Sequence, residues 1–288
     1  MVYKLQPKKA KKTIFYIRQA IKGYFQKYNL KYAIFGKSKG LDSSVVAGLL
    51  ADIPGIKPIG VIMPCNSDKD DERIGSLVLN YYKIPNIKID LTSAYQSIKK
   101  TFYNYSPLNE QIYKLAEKSQ LPILKKRFSD KEKYALGNIK ARLRMITLYH
   151  IAQLTGGIVI GTSNFSEWMM GFWTLYGDVG DFYPLAEIYK GKELYSIAKA
   201  LKVPKESLEV EPADGLGISS TDQDQLGLPY DELDEIIFNY LLKKTPGQIQ
   251  KATGLPLAKI NQALQTIKNT DFKRKHPIKI SSKDPGLI

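Results

Sequence analysis

Cysteine occurs once in these 288 residues, at Cys65. A single thiol excludes an intrachain disulfide framework and suits a reducing compartment, so a cytoplasmic location is expected. Cys65, at the end of an apolar run, reads as a buried small residue rather than a nucleophile. Histidine occurs only twice, at His150 and His276, and no Cys/His cluster with metal-ligand spacing exists, which argues against a zinc site. His150 lies in "LYHIAQL" and reads as a core or interface residue. No apolar run approaches the roughly 20 residues needed to span a bilayer. The basic start "MVYKLQPKKAKK" has no apolar segment after it, so no secretory signal is expected. Acidic residues are the scarcer charge, 28 against 43 basic, for a net +15. The lysines are spread along the chain, which favours a solvated surface, then attraction of small polyanions, with nucleic acid last.

What is present is an alternation of strand-like and helix-like segments. "KYAIFG", "IKPIGVIMP", "NIKIDL" and "GGIVIGT" read as strands. Residues 12–28, 43–52 and 67–84, "TSAYQSIKKTFYNY" and residues 131–155 read as helices, the last with an interruption expected at Gly137. Residues 104–131 lack periodicity and are expected to be mobile. The alternation predicts one domain over residues 1–288, an α/β fold with a doubly wound parallel sheet. Ligands of such sheets sit beyond the strand C-termini at a switch point, here the loops after Phe35 and Ile160. "TPGQIQKATGLPLAKINQALQTIKN" mimics a helix-turn-helix.

"GKSKGLDS", Gly36 to Ser43, joins the first strand to a helix. Backbone N–H groups there, topped by a helix N-terminus, can bind phosphate oxygens. Ser38 and Ser43 add hydroxyl donors, and Asp42 can hold a Mg²⁺ that bridges phosphates. The Walker spacing is absent. The competing reading is an ordinary turn in which Asp42 or Ser43 caps the helix.

The segment Ser38-Lys39-Gly40-Leu41-Asp42-Ser43 resembles the S-G-G-x-D-S motif of the ATP pyrophosphatase (PP-loop) superfamily. Together with "GNIKARLRM", "GTSNFSEWMMGFWTLYGD", "DFYPLAEIYK", "STDQDQLGLPYDELD" and "FKRKHP", the pattern from about residue 10 to 278 is similar to that of the ammonia-dependent NAD synthetases. The resemblance implies an adenine nucleotide alpha hydrolase-like, Rossmann-like fold with a helical C-terminal extension. It also implies a homodimer and a two-step reaction: ATP adenylates the carboxylate of nicotinate adenine dinucleotide, and ammonia then displaces AMP to give NAD. Neither a membrane nor a nucleic acid is an expected partner. A glutamine-using version would need a nucleophilic cysteine on a further domain, so free or delivered ammonia is the expected nitrogen donor.

By the same resemblance Gly36, Lys37, Ser38, Lys39, Gly40, Leu41, Asp42 and Ser43 grip the ATP phosphates, and Thr162 and Lys190 contact ATP. Asp42 and Lys190 carry the catalysis. Asp42 and Glu167 hold Mg²⁺. Arg142, Asp178, Asp181 and Lys273 meet the dinucleotide, Asp181 on condition of a one-residue deletion before it. Taken singly, Arg142 and Arg144 read as exposed helix charges, Glu167 as a helix-face acid and Asp181 as a turn residue. Trp168 and Trp173 read as packing residues or base-stacking partners.

Several positions depart from the pattern. Lys39 stands for a glycine, at a cost of about 1–2 kcal/mol if the loop needs a positive φ there. Lys37 stands where an aliphatic residue is common, Phe165 and Leu175 where lysines are usual, Ala213 for a Thr or Ser, and Phe272 for the His of a His-Lys pair. The metal and phosphate apparatus therefore reads as better kept than the dinucleotide site. A divergent paralogue with another carboxylate, or a weakly active or non-catalytic nucleotide-binding protein, is the alternative.

Overall fold

The structure is a computed structural model, and it describes residues 7–104, 114 and 122–275. Four parallel strands, β1 (Tyr32–Gly36), β2 (Lys57–Ile62), β3 (Asn86–Lys88) and β4 (Ile158–Val159), form one sheet in the order β3-β2-β1-β4. An isolated parallel bridge from Ile160 to Phe182 extends the β4 end. Alternation along β1 decides which residues face which layer. Ala33 and Phe35 join a cluster with Phe25, Val46 and Leu49, built by α1 (Pro7–Lys27), α2 (Leu41–Leu50) and α7 (Lys192–Leu201). Ile34 points the other way, into Met63 and Leu91 from the loops beyond β2 and β3, Tyr95 of α4 (Thr92–Asn104) and Leu143 and Leu148 of α5 (Pro122–Thr155). The sheet is thus doubly wound as expected, and its strand order reverses at β1, beside β4. Both expected loops leave from that point.

Helix α5 differs from the expectation. It starts at Pro122, inside the stretch expected to be mobile, and runs unbroken through Gly137. The remainder of that stretch, 105–113 and 115–121, lies outside the described residues, as does His276. Gly137 permits close packing rather than a break, because a Cβ there would lie 2.9 Å from Ile218 Cγ1. His150 is exposed on α5 in this single chain, not in the core.

The C-terminal extension packs α10 (Tyr230–Leu241), α11 (Pro246–Thr253) and α12 (Leu257–Asn269) into a second cluster. Leu233, Ile236 and Ile237 meet Ile249, Ile260, Leu264 and Ile267 there, with Met169 and Met170 from α6 (Phe165–Met170). The helix-turn-helix pattern is therefore spent on packing against α10. Its first helix has a Thr245–Gln248 capping box and ends at Gly254 with φ 75°. No described helix is long and apolar enough to cross a membrane.

Candidate functional site

Helix α2 begins directly after the β1 loop, with Gly40 as its N-cap and no side-chain cap hydrogen bond. Neither Asp42 nor Ser43 caps it, so the ordinary-turn reading fails. The Asp42 carboxylate turns instead to the β4 loop: Asn164 Nδ2 donates to its Oδ1 at 2.8 Å and Lys190 Nζ donates to its Oδ2. Lys190 Nζ also donates to Glu167 Oε1 at 3.1 Å. Lys190 is 5 % exposed and lies over the Tyr230 ring, 5.1 Å from its centroid. The two carboxylates assigned to Mg²⁺ and the lysine assigned to the phosphates therefore share one spot.

Electrostatics define the state of this spot. Burial works against the Lys190 charge, but Asp42, Glu167 and Asp222 outweigh it and hold the ammonium well above the usual lysine range. Burial pushes Glu167 up to about 8, with Lys190 opposing and Asp42 adding. Asp222, 3 % exposed, is also raised by burial. Its Oδ2 accepts from Tyr230 OH at 2.9 Å, while its Oδ1 is buried with no hydrogen-bond partner. Three carboxylates around one ammonium leave an ionised cluster short of positive charge.

Ser38, Gly40, Leu41, Asp42, Ser43, Thr162, Glu167 and Lys190 line one pocket, together with Asp178 and Asp222. Gly36 and Lys37 line an adjoining one, and Lys39 a third, next to Lys140 and Arg144. Arg142, Lys273 and Leu175 line a further one. Asp178 borders the first, the second and the one around Arg142. It is half-buried, its carboxyl is raised by desolvation, and it accepts from Thr174 N at 2.5 Å. Arg142 Nε donates to Leu175 O at 3.2 Å. Lys273 Nζ donates to Gly171 O at 2.7 Å and to Trp173 O at 2.5 Å, and burial lowers its pKa. Asp181 stands apart: it accepts from Tyr149 OH at 2.7 Å and from Val159 N at 3.1 Å, bracing α5 to β4. Trp168 and Trp173 stack on each other at 5.1 Å and 2°, and Trp173 also lines the first pocket and the one around Arg142.

The two loop lysines behave differently from each other. Lys39 is not at positive φ, so it carries none of the strain considered for it. Its N–H donates to Asp71 Oδ1 at 2.6 Å and its ammonium pairs with Asp68 at 3.2 Å, away from the Asp42 cluster. Lys37 is 3 % exposed and folds back under the loop. Burial pulls it down to about 7, against Asp71 and Asp42, which favour its charge.

Besides Asp222, two residues that shape the site had no functional reading in the sequence. Asn164 is the N-cap of α6, and its capping box with Glu167 aims both acids, since Asn164 Oδ1 accepts from Glu167 N at 3.0 Å. The N-x-x-E spacing of "NFSE" was the available signal. Asp234, on α10, accepts from Ser166 Oγ through Oδ1 at 2.5 Å and from Gly191 N through Oδ2 at 2.8 Å. Lys190 N donates to the same Ser166 Oγ at 2.9 Å. One buried carboxyl thus ties the residue before Glu167 to the residue after Lys190.

Burial raises the Asp234 carboxyl from the usual aspartate value of 3.8 to about 7. A carboxyl raised by folding favours the native state below its unfolded pKa, and that contribution is lost as pH rises through the folded pKa. Relative to Asp234→Asn, the wild type should lose as much as about 4 kcal/mol between pH 4 and 7, at about 1.4 kcal/mol per unit. Thermal denaturation of both proteins across that range measures it. Parallel curves would contradict the assignment.

The family model described as NAD synthase matches residues 13–277. An NH(3)-dependent NAD(+) synthetase of Finegoldia magna is 36% identical over 80% of this chain and 86% of its own. Another, of Methanocaldococcus jannaschii, is 34% identical over 91% of this chain and 93% of its own. Among solved structures, NMN synthetase from Francisella tularensis superposes with a TM-score of 0.71 at 25% identity, covering 96% of this chain and 98% of that one. The NH3-dependent NAD synthetase of Campylobacter jejuni shares the fold with a TM-score of 0.69 at 21% identity, over 94% and 99% of the two chains. This chain belongs to the NAD synthase family.

Proposed function

We propose that the protein is an ATP- and Mg²⁺-dependent amide ligase that converts nicotinate adenine dinucleotide and ammonia to NAD, AMP and pyrophosphate. The observation that carries the reading is the meeting of Asp42, Glu167 and Lys190 at the C-terminal edge of β1 and β4, against the helix start that follows the phosphate loop. The NAD synthase relatives supply the reaction.

The donor set fits Mg²⁺. No described group of three His, Cys, Asp or Glu side chains converges to hold a metal by itself. Two hard carboxylates with substrate phosphates completing the shell is the usual arrangement for this ion. Asp42 and Glu167 would hold it, and the orphaned Asp222 Oδ1 marks uncompensated negative charge beside them. When bound, the ion supplies neutralisation of the phosphates. Lys190 supplies a fixed positive charge against the developing pyrophosphate. The N-terminal N–H groups of α2, ahead of the helix ladder, face the same anion. No general base is needed for the first step, because a carboxylate is already ionised at neutral pH. Its oxygen attacks the α-phosphorus and pyrophosphate leaves. Ammonia then attacks the acyl carbon, AMP departs with the former carboxylate oxygen, and a proton passes to solvent.

Arg142, Asp178 and Lys273 are the proposed contacts of the acid substrate. Asp181 is left with a bracing role. Ile146, Tyr149 and Leu154 are exposed on one stretch of α5, which supports a homodimer formed through this helix. A cytoplasmic location rests on the lone reduced cysteine.

A second reading changes only the acid. Leu175 borders the pocket where the resemblance implies a lysine, and Lys273 is occupied by two carbonyls. Fewer free cations suit a substrate with fewer phosphates, such as the mononucleotide acid. The test is to supply MgATP and ammonium with each acid in turn and follow amide and pyrophosphate together. Equimolar NAD and pyrophosphate supports the first reading, and amide from the mononucleotide alone the second. Turnover of neither acid overturns both.

A further inference from the structure

The buried lysine beneath the phosphate loop has hydrogen-bond partners that fix its function. An ammonium has three protons to donate and no lone pair. Lys37 Nζ meets three acceptors, the Ser38 carbonyl, Ser43 Oγ at 3.3 Å and Ser44 Oγ at 2.9 Å. Every proton of the charged form is used. Ser44 Oγ lies 2.6 Å from Ser207 Oγ, which donates to Lys39 O at 3.0 Å, so one arm of this network ties the loop to α8 (Lys205–Leu208).

The other arm bears on the pocket. A hydroxyl oxygen accepts two hydrogen bonds and donates one. Ser43 Oγ accepts from Lys37 Nζ and from Ser38 N, the latter at 3.3 Å. Both lone pairs are then filled. Ser38 Oγ, 3.3 Å from Ser43 Oγ, cannot donate to it and can only accept there, where the Ser43 proton is shared with Gly40 O at 3.1 Å and Ser38 O at 3.4 Å. Ser38 Oγ also accepts from Gly40 N at 3.2 Å. Its own proton is left for the pocket that Ser38 lines, beside Asp42 and Lys190. Without the lysine, Ser43 Oγ would regain a lone pair and the Ser38 proton could turn inward onto it.

We propose that Lys37 is a positioning residue of the phosphate loop, whose ammonium fills Ser43 Oγ and thereby directs the Ser38 hydroxyl proton outward to a pyrophosphate oxygen. The proposal rests on the reading of this pocket as the ATP site. It gives the chain's departure at position 37 a role, since an aliphatic side chain there cannot set this direction.

The experiment is titration calorimetry with magnesium pyrophosphate and, separately, with AMP, together with thermal denaturation. The proteins are the wild type, Lys37→Met, Ser38→Ala and the double variant. Lys37→Met should weaken pyrophosphate about tenfold or more. AMP binding should stay within about twofold, and the thermal midpoint should not fall, because a buried ammonium is replaced by an apolar chain of similar length. Ser38→Ala should weaken pyrophosphate in the wild-type background and add nothing in the Lys37→Met background. Unchanged pyrophosphate affinity in a folded Lys37→Met overturns the proposal. So do fully additive losses, which would make the lysine a simple charge, and parallel losses of AMP binding and thermal midpoint, which would make it structural. If Lys37→Met does not fold, Ser38→Ala alone still decides, since pyrophosphate bound as tightly as by the wild type refutes an outward Ser38 donor. No acid substrate is present in these titrations. Lys37-dependent pyrophosphate binding without NAD formation would therefore defeat the proposed function and leave this inference standing, and the converse would do the reverse.

Discussion

Replacing Asp42 with Asn lowers the rate of pyrophosphate release by about three orders of magnitude, the upper range for removing one preorganised electrostatic contact. Both oxygens of the carboxylate are engaged, one by Asn164 Nδ2 and one by Lys190 Nζ. An amide must present its NH₂ to one of these donors, so the substitution removes a metal ligand and adds a donor–donor conflict. Lys190 keeps Glu167 as a counter-charge, so the fold survives. Turnover within a few-fold of the wild type, with the variant folded, would remove Asp42 from the catalytic centre.

Replacing Lys190 with Met abolishes turnover and also costs stability. The ammonium is the shared partner of Asp42 and Glu167 and lies over the Tyr230 ring. Without it the buried acids of the pocket face one another, and breaking a buried pair in this way costs about 3–5 kcal/mol. Protonation of Glu167, which burial already pushes up to about 8, limits the loss. A fall in thermal midpoint together with loss of pyrophosphate release is expected. Full stability with full loss of rate would mean the ammonium touches substrate but does not hold the acids. Unchanged rate would contradict its role altogether.

The strands and the switch point were legible because "YAIFG" and "KPIGVI" are short apolar runs bounded by turns, and strand–helix alternation leaves few topologies. Asp42, Glu167 and Lys190 come from distant segments, and only their common resemblance to one family predicted that they would meet. What the sequence hid is conformational. Position 39 looked strained because the motif has glycine there, yet its φ is not positive and Asp71 holds its N–H. Lys37 was read as a departure from the motif within the phosphate grip, and only the fold shows that it turns under its own loop. Gly137 looked like a helix break because glycine disfavours helices, but its small size admits Ile218. Asp222 carried no signal, since an acid in a helix's first turn is ordinary. Its unpartnered oxygen appears only when Tyr230 and Lys190 are in place.

Adenylation of a carboxylate in this pocket moves one of the carboxylate oxygens onto AMP. The most direct measurement is oxygen transfer: nicotinate adenine dinucleotide carrying ¹⁸O in its carboxylate is turned over with MgATP and ammonium, and the phosphorus products are analysed by mass. Adenylation predicts one labelled oxygen in AMP and none in pyrophosphate. Label in inorganic phosphate, or AMP formed without label, would mean that the carboxylate never attacks the α-phosphorus and would contradict the account.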